Sequence, residues 1–240
     1  MTSKVEVILL AAGEGTRLGS SDPKAFVELA GEPMLAHSLR SFEGLDVVDG
    51  IVVLVPAEWI ERTRELVERV GARKVVAIAA GGASRAASVR AGLAWIEDDA
   101  ATAVLVHDAA RPIVPASLVA RVLAPLAEGW DAVVPALAVT DTVKQVDAAG
   151  AIIATLDRAT LGLAQTPQAC RASALHAALR ELDEAALAAL TDDAAAIEAA
   201  GGRTRMVAGD LRTRKVTTRE DLIEVARVLQ EATTDGRRHE

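Results

Sequence analysis

Aromatic side chains are nearly missing from this chain: it has three Trp, two Phe and no Tyr in 240 residues, although 51% of its residues are hydrophobic. The core must therefore come from Ala, Val, Leu and Ile, with Val and Ile suited to pleated strands. Cysteine occurs once, at Cys170, which excludes an intrachain disulfide and a thiolate metal cluster. Cations are outnumbered, 26 Lys and Arg against 34 Asp and Glu, for a formal charge of −8. That balance argues against a broad nucleic-acid surface, which Lys and Arg would have to supply. It leaves room for a few cations gathered in one cleft to bind a small anion. No run approaches the roughly 20 apolar residues of a membrane span. The opening MTSKVEVILLAAG passes from a short apolar stretch straight into glycine, unlike a signal peptide. The expectation is a cytoplasmic protein with neither a nucleic-acid nor a membrane partner.

Apolar runs at residues 5–12, 51–55, 75–79, 103–106 and 132–134 read as buried strands. Residues 33–42, 58–70, 84–97 and 115–127 read as the helices between them. Pro33 and Pro115 fall at first helical positions and Ser84 at an N-cap. This alternation predicts an α/β fold: a doubly wound, mostly parallel, Rossmann-like sheet flanked by helices. Ligands then bind beyond the carboxyl ends of the strands. From 139 to 168 the rhythm breaks, and residues 143–146 and 152–155 read as a hairpin, a protruding β-arm of the kind that pairs with a second subunit. Helices follow at 173–182, 192–200 and 219–232, with a strand at 203–207. One domain over 1–233 that includes the 139–168 arm, with a disordered tail at 234–240, is the economical organisation.

The segment LLAAGEGTRLGSSDPKAF at residues 9–26 carries the strongest chemical signal. A buried strand runs into Gly13, Gly15 and Gly19, whose backbone can approach phosphate oxygens closely, and Arg17 and Lys24 add charge. Leu18 stands where a G-x-G-x-x-G loop needs its third glycine, and no G-x-x-x-x-G-K-[ST] string occurs. A glycine turn alone is more often just a turn; Arg17, Pro23 and Lys24 following in order favour a phosphate loop. The loop resembles that of nucleotidyltransferases that activate sugars and polyols with a nucleoside triphosphate.

Further strings appear in GGASRAASV at 81–89, HDAARP at 107–112, DRATLGLAQTPQ at 157–168, TDDA at 191–194 and AGDLRTRKVTTREDL at 208–222. Asp108 stands at a strand's carboxyl end, placed for a metal or a substrate hydroxyl. His107, a lone His beside a buried strand, reads as structural. Lys215 falls just before an expected strand end and helix start, among arginines that could equally form a solvated face. Taken together over roughly residues 5–222, these strings resemble the 2-C-methyl-D-erythritol 4-phosphate cytidylyltransferase family of the non-mevalonate isoprenoid pathway. The resemblance implies a nucleotide-diphospho-sugar transferase type of sheet and a homodimer joined through the arm.

It also implies the site. Arg17, Lys24 and Lys215 would be catalytic, and Ala11, Ala12, Gly13, Gly15, Thr16, Gly82, Ala83 and Ser88 would bind the nucleotide. Asp108 and Arg111 would bind the acceptor together with Thr140 and Arg158 from a neighbouring subunit's arm. Asp108 would also meet Mg²⁺ or another divalent cation, with Asp210 a weaker candidate for metal or structural contact. Relatives often carry a polar residue where Ala83 stands, which leaves that contact to the backbone. The implied reaction transfers CMP from CTP to 2-C-methyl-D-erythritol 4-phosphate, a small polyol phosphate. Its products are 4-diphosphocytidyl-2-C-methyl-D-erythritol and pyrophosphate. A ribitol-5-phosphate cytidylyltransferase is the alternative.

Overall fold

The computed structural model describes residues 4–14, 18–19, 22–99 and 102–236. Strand β1 (Lys4–Leu10) is followed by a small antiparallel pair, β2 (Glu28–Leu29) and β3 (Glu32–Pro33), then helix α1 (Met34–Glu43). Next come β4 (Gly50–Val55), α2 (Ile60–Val70), β5 (Val75–Ala80), α3 (Arg85–Leu93), β6 (Thr102–Asp108), α4 (Ala116–Ala127) and β7 (Ala132–Ala138). A hairpin of β8 (Val143–Val146) and β9 (Ile152–Leu156) stands apart from the main sheet. The chain then returns through β10 (Gly162–Ala164) and β11 (Gln168–Arg171) to α5 (Ala172–Arg180), α6 (Glu184–Ala189) and α7 (Asp193–Ala199). It ends with β12 (Thr204–Ala208) and α8 (Arg219–Gly236).

Among the described residues the main sheet has eight strands. Along β6, β1, β4 and β5 neighbours are parallel, and β12 runs parallel to β7. Between β6 and β7 the chain runs the other way. There β10 and β11 pair antiparallel with β7 in nearly continuous register, Ala164 opposite Ala136 and Ala169 opposite Val133. Residues 162–171 thus form one interrupted strand, and the interruption is the first three residues of the QTPQ string, 165–167. The projecting hairpin occupies 143–156, while residues 162–164 and 168 of the expected arm belong to strands of the main sheet.

The continuous apolar strands arise because both faces of the sheet are covered. Val5, Val7 and Leu9 of β1, with Ile51, Val53 and Val55 of β4, pack under Leu39, Leu66 and Val122 of α1, α2 and α4. Ile8, Val52, Leu54, Val104 and Val106 point the other way, onto α3, α5 and α7 through Val89, Leu175 and Ile197. Alternate residues go to opposite layers, as the two-residue period of a strand requires.

Several boundaries differ from the sequence reading, for local reasons. Pro33 and Pro115 take N-cap rather than first helical positions, with ψ of 140° and 137°. Proline's fixed φ suits that extended cap, and the helix proper starts one residue later. Ser84 does cap α3, accepting from Ala87 N at 3.1 Å, but the helix stops at Leu93 rather than 97. Asp192 caps α7 in the same way. Strand β1 ends at Leu10, so Ala11 and Ala12 already belong to the loop. The short α6 and the β2–β3 pair were too brief to carry a readable period. Helix α8 reaches Gly236, into the stretch expected as a tail, and residues 237–240 lie outside the described residues.

Candidate active site

The chain lays β4 and β5 on one side of β1, then crosses to lay β6 on the other. Loops leaving adjacent strands in opposite directions open a crevice at such a switch point. A cavity of about 590 Å³ lies there, lined by residues from the ends of β1, β5 and β6 and from the 210–218 segment.

Its first wall is the loop after β1. Ala11 N donates to Leu54 O at 2.7 Å, and Lys24 N donates to Gly13 O at 2.9 Å, which closes the loop at its base. Ala11, Ala12, Gly13 and Lys24 all line the cavity. A Cβ built on Gly13 would meet nothing within 4 Å among the described residues beyond its chain neighbours. Gly19 has φ of 70°, the left-handed conformation that favours glycine. Gly15, Thr16 and Arg17 lie outside the described residues.

The second wall is the loop after β5. A Cβ on Gly81 would come within 2.6 Å of Ala12 Cβ, and one on Gly82 within 2.6 Å of Ala87 Cβ and 2.8 Å of its backbone. Space therefore demands glycine at both positions, at Gly81 because the two walls nearly touch and at Gly82 because the loop folds against its own helix α3. Ser88 Oγ accepts from Gly82 N at 3.0 Å and donates to Ser84 O at 3.0 Å. Its hydroxyl is spent on shaping the loop, and Gly82 and Ala83 present backbone to the cavity.

The third wall begins at Asp108, whose side chain is 13% exposed. Its Oδ2 accepts from Lys215 Nζ at 2.7 Å, and its Oδ1 accepts from Arg85 Nε at 3.3 Å. Burial resists ionisation of this carboxyl, but Arg85 and then Lys215 outweigh burial and hold it well below the usual carboxylate range. Arg85 in turn grips Asp193 with both terminal nitrogens, at 2.8 and 2.7 Å. Carboxylates around Arg85 outweigh its own burial and raise its pKa.

Lys215 is brought 107 residues along the chain to Asp108 by backbone and side-chain bonds around it. Val216 N donates to Ala110 O at 2.8 Å. Gln165 Nε2 donates to Asp210 O at 3.0 Å, and Gln165 Oε1 accepts from Asp210 N at 2.9 Å. Lys215 sits in an irregular segment between β12 and α8, not at the expected strand end. Thr166 Oγ1 accepts from Asp108 N at 3.1 Å. Gln168 Oε1 accepts from Asp193 N and Ala194 N at 3.1 and 3.2 Å, and its Nε2 donates to Asp192 Oδ2 at 3.0 Å.

His107 is structural, as expected. It is fully buried, donates from Nε2 to Arg111 O at 2.9 Å, and accepts from Thr166 Oγ1 at Nδ1, 3.1 Å away. Burial lowers its pKa to about 4, which keeps the ring neutral.

Arg111, expected at the acceptor's phosphate, is buried, is not among the residues lining this cavity, and donates to Thr213 O at 2.8 Å and Ala164 O at 3.4 Å. These two bonds clamp the Lys215 segment to β10. Thr140 and Arg158 lie on the exposed arm side. Arg158 Nη1 donates to Thr140 O at 2.5 Å, and neither residue lines this chain's cavity. Asp210 is an internal partner of Arg212, whose N and Nε both donate to Oδ1 at 3.0 Å.

Arg85, Asp193 and the three polar residues of QTPQ were not assigned roles from the sequence. Their strings were visible, but no spacing rule joins Arg85 to an acid 108 residues away.

The model of the family IspD, 2-C-methyl-D-erythritol 4-phosphate cytidylyltransferase, matches residues 5–231. The enzyme of that name from Nocardia farcinica is 46% identical over 218 residues, covering 91% of this chain and 90% of the relative. The one from Rhodococcus opacus is 44% identical over 227 residues, covering 95% of each. A crystal structure of the Francisella tularensis 2-C-methyl-D-erythritol 4-phosphate cytidylyltransferase superposes with a TM-score of 0.75 at 30% identity, over 92% of this chain and 98% of that one. With a family model spanning nearly all of the chain and relatives of this identity and coverage, the chain belongs to the 2-C-methyl-D-erythritol 4-phosphate cytidylyltransferase family.

Proposed function

We infer that the chain is a cytidylyltransferase that moves CMP from CTP to 2-C-methyl-D-erythritol 4-phosphate. The reading is carried by one observation: Lys24, Lys215 and Asp108, from three distant segments, converge with a bare-backbone loop on a single cavity at the switch point. An oxygen of the acceptor's phosphate attacks the α-phosphorus of CTP. The bond from that phosphorus to the bridging oxygen breaks, and pyrophosphate leaves with the electron pair.

A phosphate monoester is already largely dianionic near neutrality, its second pKa being about 6. The nucleophile therefore has no proton to lose, and the reaction needs no general base. What must be overcome is repulsion between two anions, which positioned cations can relieve. Lys24 and Arg17 would take charge on the triphosphate side. Lys215, held on Asp108 Oδ2, would use another of its three N–H donors on the α-phosphate as charge builds there. Asp108 would also accept from the acceptor's hydroxyls. Ala11, Ala12, Gly13, Gly15 and Thr16 would wrap the nucleotide from one side and Gly82 and Ala83 from the other, with Ser88 holding their loop.

A divalent cation, Mg²⁺ first, belongs to this reading. Among the described residues no three His, Cys, Asp or Glu side chains form a group able to hold a metal. Both oxygens of Asp108 face cations. That donor set suits an ion carried mainly by phosphate oxygens and water, which Mg²⁺ accepts. Such an ion would neutralise phosphate charge, with Asp108 as its first candidate protein ligand.

Thr140 and Arg158 are assigned to a neighbouring subunit's acceptor site in a homodimer. Supporting this, Val146, Ile152, Ile153 and Leu163 on the arm side are each more than half exposed. A cytoplasmic location goes with a nucleoside triphosphate substrate. The test is pyrophosphate release from CTP with methylerythritol phosphate, and separately with ribitol phosphate, alongside light scattering. Faster turnover of ribitol phosphate would replace the acceptor, and an active monomer would remove the shared site.

A further inference from the structure

A line of alternating charge runs from the cavity back into the protein: Lys215, Asp108 and Arg85 line the cavity, and Asp193 lies behind them. We propose that Asp193 and Arg85 are positioning residues that fix the Asp108 carboxylate and, through it, the Lys215 ammonium. The proposal rests on the cytidylyltransferase reading and deepens it.

Asp193 is the inner anchor. Its side chain is 2% exposed and does not line the cavity, so it touches no substrate. It sits at the start of α7, where Gln168 holds its backbone N and Asp192 caps the helix, so the carboxylate has little freedom. Burial pushes its carboxyl above the ordinary value even with Arg85 beside it. A buried ion pair is a poor device for stability alone, because a well-packed apolar pair serves as well. What a planar guanidinium adds is direction. Two parallel bonds to Asp193 fix its plane, and the remaining Nε is then aimed at Asp108 Oδ1.

Asp108 is thereby held from behind while its other oxygen carries Lys215 at 2.7 Å. Without Arg85, the carboxylate could rotate about its side-chain bonds and take Lys215 with it. Lys215 itself is a flexible point charge, 39% exposed, with no rigid fork of its own. The order of the lysine in front depends on the order of the aspartate behind.

The experiment uses the full chain with CTP and methylerythritol phosphate, reading pyrophosphate release. Asp193→Asn and Arg85→Lys are each expected to lower kcat on the order of tenfold or more, with the KM for CTP within about twofold, since displacing a catalytic group by a fraction of an ångström affects rate first. The decisive arm is a double-mutant cycle. Once Lys215→Ala has removed the positioned group, adding Asp193→Asn should cost less than about twofold further. Fully additive losses, or wild-type kcat in folded Asp193→Asn, would overturn the proposal. Arg85→Lys carries the same cycle if Asp193→Asn does not fold. A crystal structure of Asp193→Asn or Arg85→Lys with Asp108 and Lys215 unmoved would also overturn it, whatever the turnover. A wild-type chain that releases no pyrophosphate sinks the parent reading instead, and the crystal comparison then decides the positioning role by itself.

Discussion

Around Asp108, polar groups are held from several directions at once: Arg85 and Lys215 on its oxygens, Thr166 on its amide, and Gln165 and Arg111 on the segment that delivers Lys215. On the β8–β9 arm the bonds are local. Lys144 Nζ donates to Thr155 Oγ1 at 2.7 Å across the hairpin, and Arg158 reaches Thr140. The arm also leaves Ile152 63% and Ile153 59% exposed. The contrast separates a preorganised group of side chains brought together within one chain from the arm proposed to serve a neighbour's site, whose polar side chains are held by fewer bonds. Charge that must meet a transition state needs the first kind of setting. Charge that captures an acceptor can come from the second.

The sharpest way to break this contrast is to remove one cation from the cavity lining. Lys24→Ala and Lys215→Ala are each expected to lower kcat on the order of 10²-fold or more, with the melting temperature nearly unchanged. Near-normal steady-state turnover in either variant would take that lysine out of the mechanism.

Rigidity around Asp108 also carries a pH signature through His107. Its folded pKa of about 4 lies below the unfolded value of 6.5, so the unfolded chain takes up the proton first. Stability should hold above pH 6.5, decline by on the order of 3 kcal/mol as pH falls to about 4, and gain no further loss from this group below that. Urea unfolding across the range, with His107→Gln as the non-titrating control, measures the slope. An equal slope in both proteins assigns it elsewhere.

On the arm, Arg158→Ala should raise the KM for the acceptor about tenfold, as loss of one charge-assisted contact would. The KM for CTP should stay put. A change confined to CTP would place Arg158 on the nucleotide instead.

The smallest effect concerns how Lys215 is followed by its helix. Thr218 and Asp221 form a reciprocal cap on α8, with Thr218 N donating to Asp221 Oδ2 at 2.9 Å and Asp221 N to Thr218 Oγ1 at 3.3 Å. Burial resists ionisation of Asp221, but bonds from Thr217 and Thr218 lower its pKa to about 2. Asp221→Ala should cost about 1 kcal/mol. The wild-type advantage is present above about pH 4 and disappears as pH falls through about 2. A thermal-melt difference that persists at pH 2 would show a packing effect rather than a cap.

Much of this was legible because it is local. Five strand cores, the Ser84 cap and the hairpin at 143–156 follow from period and turn chemistry, and the cavity-lining Asp108 and Lys24 follow from their places after strands. The partners of Arg111 were not legible, because carbonyls of Ala164 and Thr213 belong to segments whose approach is set by the whole sheet. The antiparallel β11 between β6 and β7 was hidden for a related reason. Its four residues have both faces covered, so no alternation marks them.

That reversed strand changes which residues can reach the rim of the sheet. In a wholly parallel arrangement only segments departing from strands gather there. Because the chain interrupts itself between β10 and β11 beside the end of β6, a segment on its way inward lies at the same rim, and its glutamines grasp the two neighbouring connections. An inserted residue between Gln165 and Gln168 would move those two grips apart, and so detach the lysine segment from the helix bearing Asp193 in one stroke.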